Sequence, residues 1–468
     1  MNNLGSAIVS LLKLALPLMV IQLSQVSLGF TDTIIAGQYF YKDLAAVGLG
    51  SNLWTPFGIL MTGILYILIP KVSEVNLDDS KHKKSLSSLR AEGEKLALFV
   101  GVCAMVFILA ISLSTSLFID DEETANISSN YLIFIAFSMP GLALFIVYRF
   151  MCEGRERLKP VILAVFFLAL FNPILNFVLV NGLFGFEKMG GAGCGLATFI
   201  STYLAFFVMR FLCRRNFPAI FIKPDETPKK NVWNKLLLQG LPIGVALILE
   251  VVAFTALALM AAQLGTRVIA AHQIAINITL LIFMIPVAIS SASTIRVALF
   301  RGEKDRPSIV RTSIAAMCIA TLYGIGMTLV LAIYGESLVN LFSEDREIIS
   351  LVISVIFLIA AFQWFDAIQI TASGILRGMD EFVKPLLAVF VTYWIFVVPT
   401  AYFIGVKGVL FPEFVGMRTI WIILSLGIIL AAIVLCCQVA SVLKSKEPET
   451  VEDNEKSVTG NAAVSGEY

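Results

Sequence analysis

Asp32, Glu250 and Asp366 stand alone inside long apolar stretches. A carboxylate at the centre of a helix crossing a bilayer costs about 2.5–3.5 kcal/mol on insertion scales. A group kept against that cost is suited to one kind of chemistry. Desolvation favours the protonated acid and a nearby cation favours the carboxylate, so such a group can exchange a proton, a small cation or a cationic organic molecule. It holds one of these at a time. The plainer alternative is a polar side chain near a helix end, reaching water or bonded to a neighbouring helix.

Other polar residues share faces with these acids. Gln22, Gln25, Gly29 and Asp32 follow spacings of 3, 4 and 3, which put them on one side of a helix. Pro17, fifteen residues before Asp32, is placed to bend that helix. Asn172 and Asn176 lie one turn apart with Pro173 between them. Their amides can supply oxygen ligands, hold a carboxyl group, or serve as packing contacts worth about 0.6 kcal/mol per bond. Glu250 follows Lys235 by fifteen residues, roughly 22 Å along a helix, with Ala246 and Ala253 on its face. Gln273 and Asn277 are spaced i, i+4, and Phe362, Asp366, Gln369 and Ser373 follow spacings of 4, 3 and 4. Arg377 closes that stripe and reads as an anchor or gate rather than a buried partner. His272 falls near a helix end, where an interfacial role is expected over proton relay.

The elements that position these residues are membrane helices. Of 468 residues, 58% are hydrophobic and 14% charged, against about 25% charged in a soluble domain. Apolar runs of about 20 residues or more match a hydrocarbon core of about 30 Å. Twelve spans are predicted, at 10–36, 44–70, 96–118, 130–152, 160–182, 192–213, 236–262, 269–299, 310–334, 349–375, 385–405 and 414–442. The first continues past Lys13 without a cleavage site, so it reads as a span and not a signal peptide. Loops after even-numbered spans, with the two ends, hold 28 of the 34 Lys and Arg residues. By the positive-inside rule both termini are cytoplasmic.

The net charge of +1 gives no sign of a nucleic-acid partner. Seven scattered cysteines form no CxxC or paired pattern, so neither a disulfide framework nor a zinc site is expected. With two histidines and no HExxH or GxSxG, the chain does not read as an enzyme, and no cofactor is expected.

The six-span halves resemble each other. At an offset of 225, Pro17 matches Pro242, Ala45–Ala46 match Ala270–Ala271, and Asn52 matches Asn277. At 224, Gly154 matches Gly378 and Leu163–Phe166 match Leu387–Phe390. An even number of spans per half makes these parallel repeats about an axis along the membrane normal. The expected division is an N-lobe at 1–213, a cytoplasmic linker at 214–235, a C-lobe at 236–443 and a polar, disordered tail at 444–468. The acids do not superpose, since Asp32 aligns with Leu257 and Glu250 with Gln25. The scaffold is pseudo-symmetric while its polar chemistry is not.

The run Pro17…Gly29–Phe30–Thr31–Asp32–Thr33–Ile34–Ile35–Ala36–Gly37…Leu44–Ala45–Ala46–Val47 resembles the first two spans of the multidrug and toxic compound extrusion (MATE) transporters. Leu241–Pro242…Leu249–Glu250…Phe254, Ile269–Ala270–Ala271–His272–Gln273–Ile274–Ala275, Ala292–Ser293–Thr294–Ile295–Arg296–Val297, Gly374–Ile375–Leu376–Arg377–Gly378 and Asn172–Pro173–Ile174–Leu175–Asn176 fit the same family. The likeness spans about residues 12–405, and Glu250 with Asp366 is similar to the NorM-type branch.

The resemblance implies a monomeric antiporter of the cell inner (plasma) membrane, expelling lipophilic, mostly cationic compounds in exchange for Na⁺ or H⁺. It implies an N-lobe cation or proton site at Asp32 with Asn172 and Asn176, and a C-lobe cation site, for Na⁺ or H⁺, at Glu250 and Asp366. Gln25, Gln273, Asn277 and Gln369 are the supporting polar residues. Phe362 departs from the pattern, standing where NorM-type sequences often carry a Tyr that contributes to the cation site. Pro412, Glu413 and Arg418 also replace a Gly/Trp-rich turn. The competing expectation is a lipid-linked precursor flippase of the same broader superfamily, but that function calls for cationic cavity residues.

Overall fold

The computed structural model describes residues 3–75, 80–117, 119–222, 232–409 and 411–445, without the side chains of 25–34, 38–39 and 80–83. Among these residues the chain is helical and has no strand. Twelve helices are long and apolar enough to cross a membrane. They are α1 (Leu4–Tyr39), α2 (Tyr41–Glu74), α3 (Ser80–Ser112), α4 (Glu122–Glu153), α5 (Leu158–Asn181), α6 (Gly191–Asn216), α7 (Val232–Gln263), α8 (Thr266–Gly302), α9 (Arg306–Val339), α10 (Arg346–Gly378), α11 (Val383–Val406) and α12 (Met417–Lys444). Twelve crossings bring the start of α1 and the finish of α12 to one end of the bundle, the terminal end.

Most helices outrun the apolar stretches that predict them, because capping needs polar residues beyond the apolar run. Asp121 accepts a hydrogen bond from the Thr124 amide at 3.0 Å and starts α4 eight residues before the expected span. Asp305 caps α9 through the Ser308 amide at 3.1 Å, and Asp345 caps α10 through the Glu347 amide at 2.9 Å. Helix α2 breaks near Tyr66 before a final short turn, Leu68–Glu74. In α11, wide π turns at Phe390–Val397 and Ala401–Val406 flank Pro399. Proline has no N–H to continue the α ladder, and the wide turns re-satisfy the freed carbonyls.

The outside of the bundle is apolar. On α5, Leu163, Phe166, Leu170 and Phe177 form one exposed face. A soluble protein would leave that row facing water, whereas a bilayer solvates it. Inside, the halves meet where α2 crosses α7 and α1 crosses α8, two contacts exchanged by the internal repeat. The first crossing is built from glycine. A Cβ on Gly240 would lie 2.2 Å from the Ile64 carbonyl oxygen, and one on Gly63 would lie 2.5 Å from Gly244 Cα. Small residues let membrane helices approach this closely.

At the end away from the termini, the ion pairs repeat with the sequence. Lys42 reaches Asp121 at 3.4 Å and Glu123 at 2.5 Å, while Arg267 reaches Asp345 at 3.7 Å and Glu347 at 2.6 Å. Shifts of 225 for the cations and 224 for the acids superpose the two sets. Each set joins two helix starts of its own half.

The expected linker begins later than residue 214. Helix α6 runs to Asn216, and Pro218–Phe221 forms a turn packed on the first half. Phe217 and Ile220 are buried, Arg90 donates to the Ile220 carbonyl at 2.8 Å, and the Arg157 guanidinium lies 4.8 Å from the Phe217 ring. The apolar residues in Phe217–Phe221 explain this, since the packed segment extends the first-half core. The tail from 446 onwards lies outside the described residues.

Candidate functional site

Two polar regions emerge, one in each half. In the first, Asn172 and Asn176 are buried on α5. Asn176 donates to Asn172 Oδ1 at 3.0 Å, and Asn172 donates to Thr198 Oγ1 at 3.2 Å and Ser201 Oγ at 3.3 Å on α6. The Asn172 amide nitrogen thus ties α5 to α6, while Asn176 bonds to Asn172 along α5 across Pro173. The packing role of this pair is explicit. The Asp32 and Gln25 side chains, expected beside it, lie outside the described residues. Pro17 lies within the continuous helix α1, Leu4–Tyr39.

The second region is resolved in detail. Glu250 projects from α7, Asp366 from α10, and their like charges repel each other. Asp366 is 3% exposed, and its Oδ1 has no protein partner. A buried, unmatched carboxyl oxygen is costly and rare in a settled core. Here it marks a place that a proton or a cation can occupy. The Tyr393 hydroxyl, brought in by the π turns of α11, donates to Glu250 Oε1 at 3.4 Å. Trp394 donates to the Leu249 carbonyl at 3.1 Å and fixes α11 against α7. Tyr323 of α9 interacts electrostatically with Asp366 and donates to the Ile282 carbonyl at 2.8 Å.

Aromatic rings enclose these oxygens. Phe254 meets Phe362 at 6.2 Å and Tyr393 at 5.9 Å, and Phe362 meets Trp421 at 6.1 Å. Phe362 is fully enclosed and contributes no oxygen, and the hydroxyl bonded to Glu250 comes from Tyr393. Sequence reading missed Tyr393, which lies 143 positions from Glu250. Its only signal was one hydroxyl among several, with Thr392, Thr400 and Tyr402, in a span broken by proline.

Two sequence expectations change. His272 is buried, its ring 5.8 Å from that of Trp421, and neither nitrogen has a protein partner. It is therefore covered by protein, not open to lipid or water. Helix α8 starts at Thr266, and His272 falls on its inward face, where Trp421 of α12 covers it. Arg377 is also buried, its guanidinium 5.4 Å from the Tyr66 ring and within electrostatic reach of Glu250. The close approach of α8 and α10 at Gly374 and Gly378, where a Cβ would meet Ser290 and Thr294, draws the end of α10 inward. Among the other candidates, Gln369 and Ser373 are buried, Asn277 is half-buried and Gln273 is exposed. Cys152 and Cys213, unrelated in sequence pattern, bring their thiols to 3.0 Å between α4 and α6.

The comparisons with known proteins agree with this architecture. The MatE family model matches twice, at residues 17–178 and 242–403, a displacement of 225. Multidrug resistance protein NorM of Aliivibrio fischeri (strain ATCC 700601 / ES114) is 32% identical over 94% of this chain and 95% of its own length. NorM of Vibrio cholerae serotype O1 (strain ATCC 39315 / El Tor Inaba N16961) is 31% identical over 91% and 93%. Among solved structures, the eukaryotic MATE transporter AtDTX14 has a TM-score of 0.82 at 17% identity, over 93% of this chain and 96% of that one, which bears on the fold alone. With its duplicated family match and its near full-length relatives, the chain belongs to the MatE family, the multidrug and toxic compound extrusion transporters.

Proposed function

We propose that this protein is a secondary antiporter that exports lipophilic, mostly cationic compounds in exchange for Na⁺ or H⁺. It works as a monomer in the plasma membrane, with both termini cytoplasmic, by alternating exposure of two lobes. The observation that carries this reading is the Glu250–Asp366 pair, two mutually repelling acids walled by aromatic rings. Such a pair binds a cation or proton and yields it to a competitor. The aromatic walls suit flat, lipophilic cations. An anionic lipid-linked precursor would meet acids in place of the cations it needs.

Efflux from proteoliposomes under an imposed Na⁺ gradient, and separately under a pH gradient, tests the proposal. At least one gradient applied alone is expected to accelerate export of a lipophilic cation. Equal rates with and without both gradients would rule out ion-coupled antiport. Stimulation by the pH gradient alone would fit the oxygen-free Phe362.

Tyr393→Phe probes the supplied hydroxyl. A hydrogen bond to a charged group is worth about 1.5–3 kcal/mol, and the 3.4 Å separation places this one at the weak end. The bond favours the charged carboxylate over its protonated form, so the proton concentration needed for half-maximal stimulation is expected to fall about tenfold, with the maximal rate nearly unchanged. An unaltered ion dependence would remove Tyr393 from the site.

A further inference from the structure

Four side chains at the terminal end obey the internal repeat and also cross it. Lys71 of the first half donates to Asp380 of the second, with Nζ 2.6 Å from Oδ1 and 2.9 Å from Oδ2. Arg296 of the second half donates to Glu156 of the first at 2.9 Å. A shift of 225 carries Lys71 onto Arg296, and a shift of 224 carries Glu156 onto Asp380. The two bridges are thus one bridge made twice, with cation and acid exchanged between halves.

The turns that present the acids repeat as well. Glu156 and Asp380 both have left-handed backbone, φ 57° and 70°. Each turn closes onto the preceding helix, Arg157 N to the Cys152 carbonyl and Glu381 N to the Leu376 carbonyl, both at 2.9 Å. Left-handed backbone costs a non-glycine residue about 1–2 kcal/mol, and in both turns it aims the acid across the interface. Between the bridges, the Tyr66 hydroxyl donates to Ser291 Oγ at 3.2 Å, and these two positions are themselves repeat partners. Arg301 adds contacts to Glu74 at 2.7 Å and Asp380 at 3.6 Å.

We propose that Lys71–Asp380 and Arg296–Glu156 form a reciprocal latch that holds the terminal end shut, and that exposing the interior there requires both bridges to break. The proposal rests on the two-lobe alternating-access reading. Among the described residues this geometry is found at that end, since the ion pairs between helix starts at the opposite end join residues of one half. The two bridges are unequal. Burial works against the Asp380 carboxylate, but Lys71 and Arg301 outweigh it and hold its pKa below the ordinary carboxylate value. Burial raises that of Glu156, only partly offset by Arg296 and Arg155. Glu156 Oε1 and Arg296 Nε also lack protein partners, so this bridge is the weaker and the first to yield.

The test places spin labels, by non-native amino acids, at exposed Arg215 and Lys304 of the full chain in lipid nanodiscs. Lys71→Asp combined with Arg296→Glu is expected to raise the ratio of long-distance to short-distance populations at least about tenfold. Adding Asp380→Lys and Glu156→Arg, which restores both bridges with reversed polarity, is expected to return the wild-type distribution. Unchanged distances in the charge-reversed protein would overturn the latch. So would failure of the restored protein to recover when its circular dichroism and elution remain native. If the reversed protein does not fold, Asp380→Asn with Glu156→Gln supplies the same comparison, and unchanged distances there would count equally against it. The measurement needs no substrate, so its result stands apart from whether the protein exports drugs.

Discussion

Glu250→Gln and Asp366→Asn are each expected to lower ion-driven export by at least about tenfold, and the double variant to fall little below the weaker single. The two acids repel each other, and Tyr393 interacts with both. Groups that hold one ion together act as a unit, and the loss of either removes most of what both supply. Independent sites would instead multiply, giving about a hundredfold loss in the double variant. Folding is not expected to suffer, because an amide removes the burden of a buried charge whose Asp366 Oδ1 has no partner. Initial rates in proteoliposomes, read beside the thermal midpoint, separate these outcomes. A multiplicative loss would divide the acids between two sites, and wild-type rates in both single variants would end the ion-coupling role.

The spans, the duplication and the candidate acids were legible because each rests on local composition or a fixed offset. The apolar runs located all twelve helices, and only their ends moved, where Asp121, Asp305 and Asp345 cap beyond the apolar limit. Partnership was less legible. Tyr393 reaches Glu250 from a wide-turned stretch of α11 that precedes Pro399, a placement without a periodic signature. His272 and Arg377 looked terminal from their distance to the loops, yet the inward face of α8 and the glycine contacts of α10 bury them. The latch is the instructive case. Lys71 and Arg296 are among the 28 Lys and Arg residues that set orientation, a property blind to partners. The 225 and 224 shifts that relate the apolar positions also relate these cations and their acids.

A close approach of the halves makes the other large effect. Gly240→Ala is expected to lower export at least about tenfold and to cost about 1–3 kcal/mol of stability, read as a lower thermal midpoint. The added methyl would stand 2.2 Å from the Ile64 carbonyl oxygen, 3.0 Å from its carbon and 3.2 Å from Ile64 Cα. All three are backbone atoms, so no rotamer change relieves them, and α2 must move from α7 by roughly 1 Å to regain contact distance. The displacement has leverage at both ends. Lys71 of the latch lies seven residues beyond Ile64, and Glu250 lies ten residues along α7 from Gly240, about 15 Å. Gly326→Ala is the matched control, since nothing lies within 4 Å of a Cβ there, and alanine favours a helix by about 0.5–1 kcal/mol over glycine. The control should transport normally with an equal or higher midpoint. Normal export and midpoint in Gly240→Ala would mean that the crossing is looser than its glycines require. An impaired variant beside an intact control would make the α2–α7 contact the fulcrum joining the acid pair to the latched end.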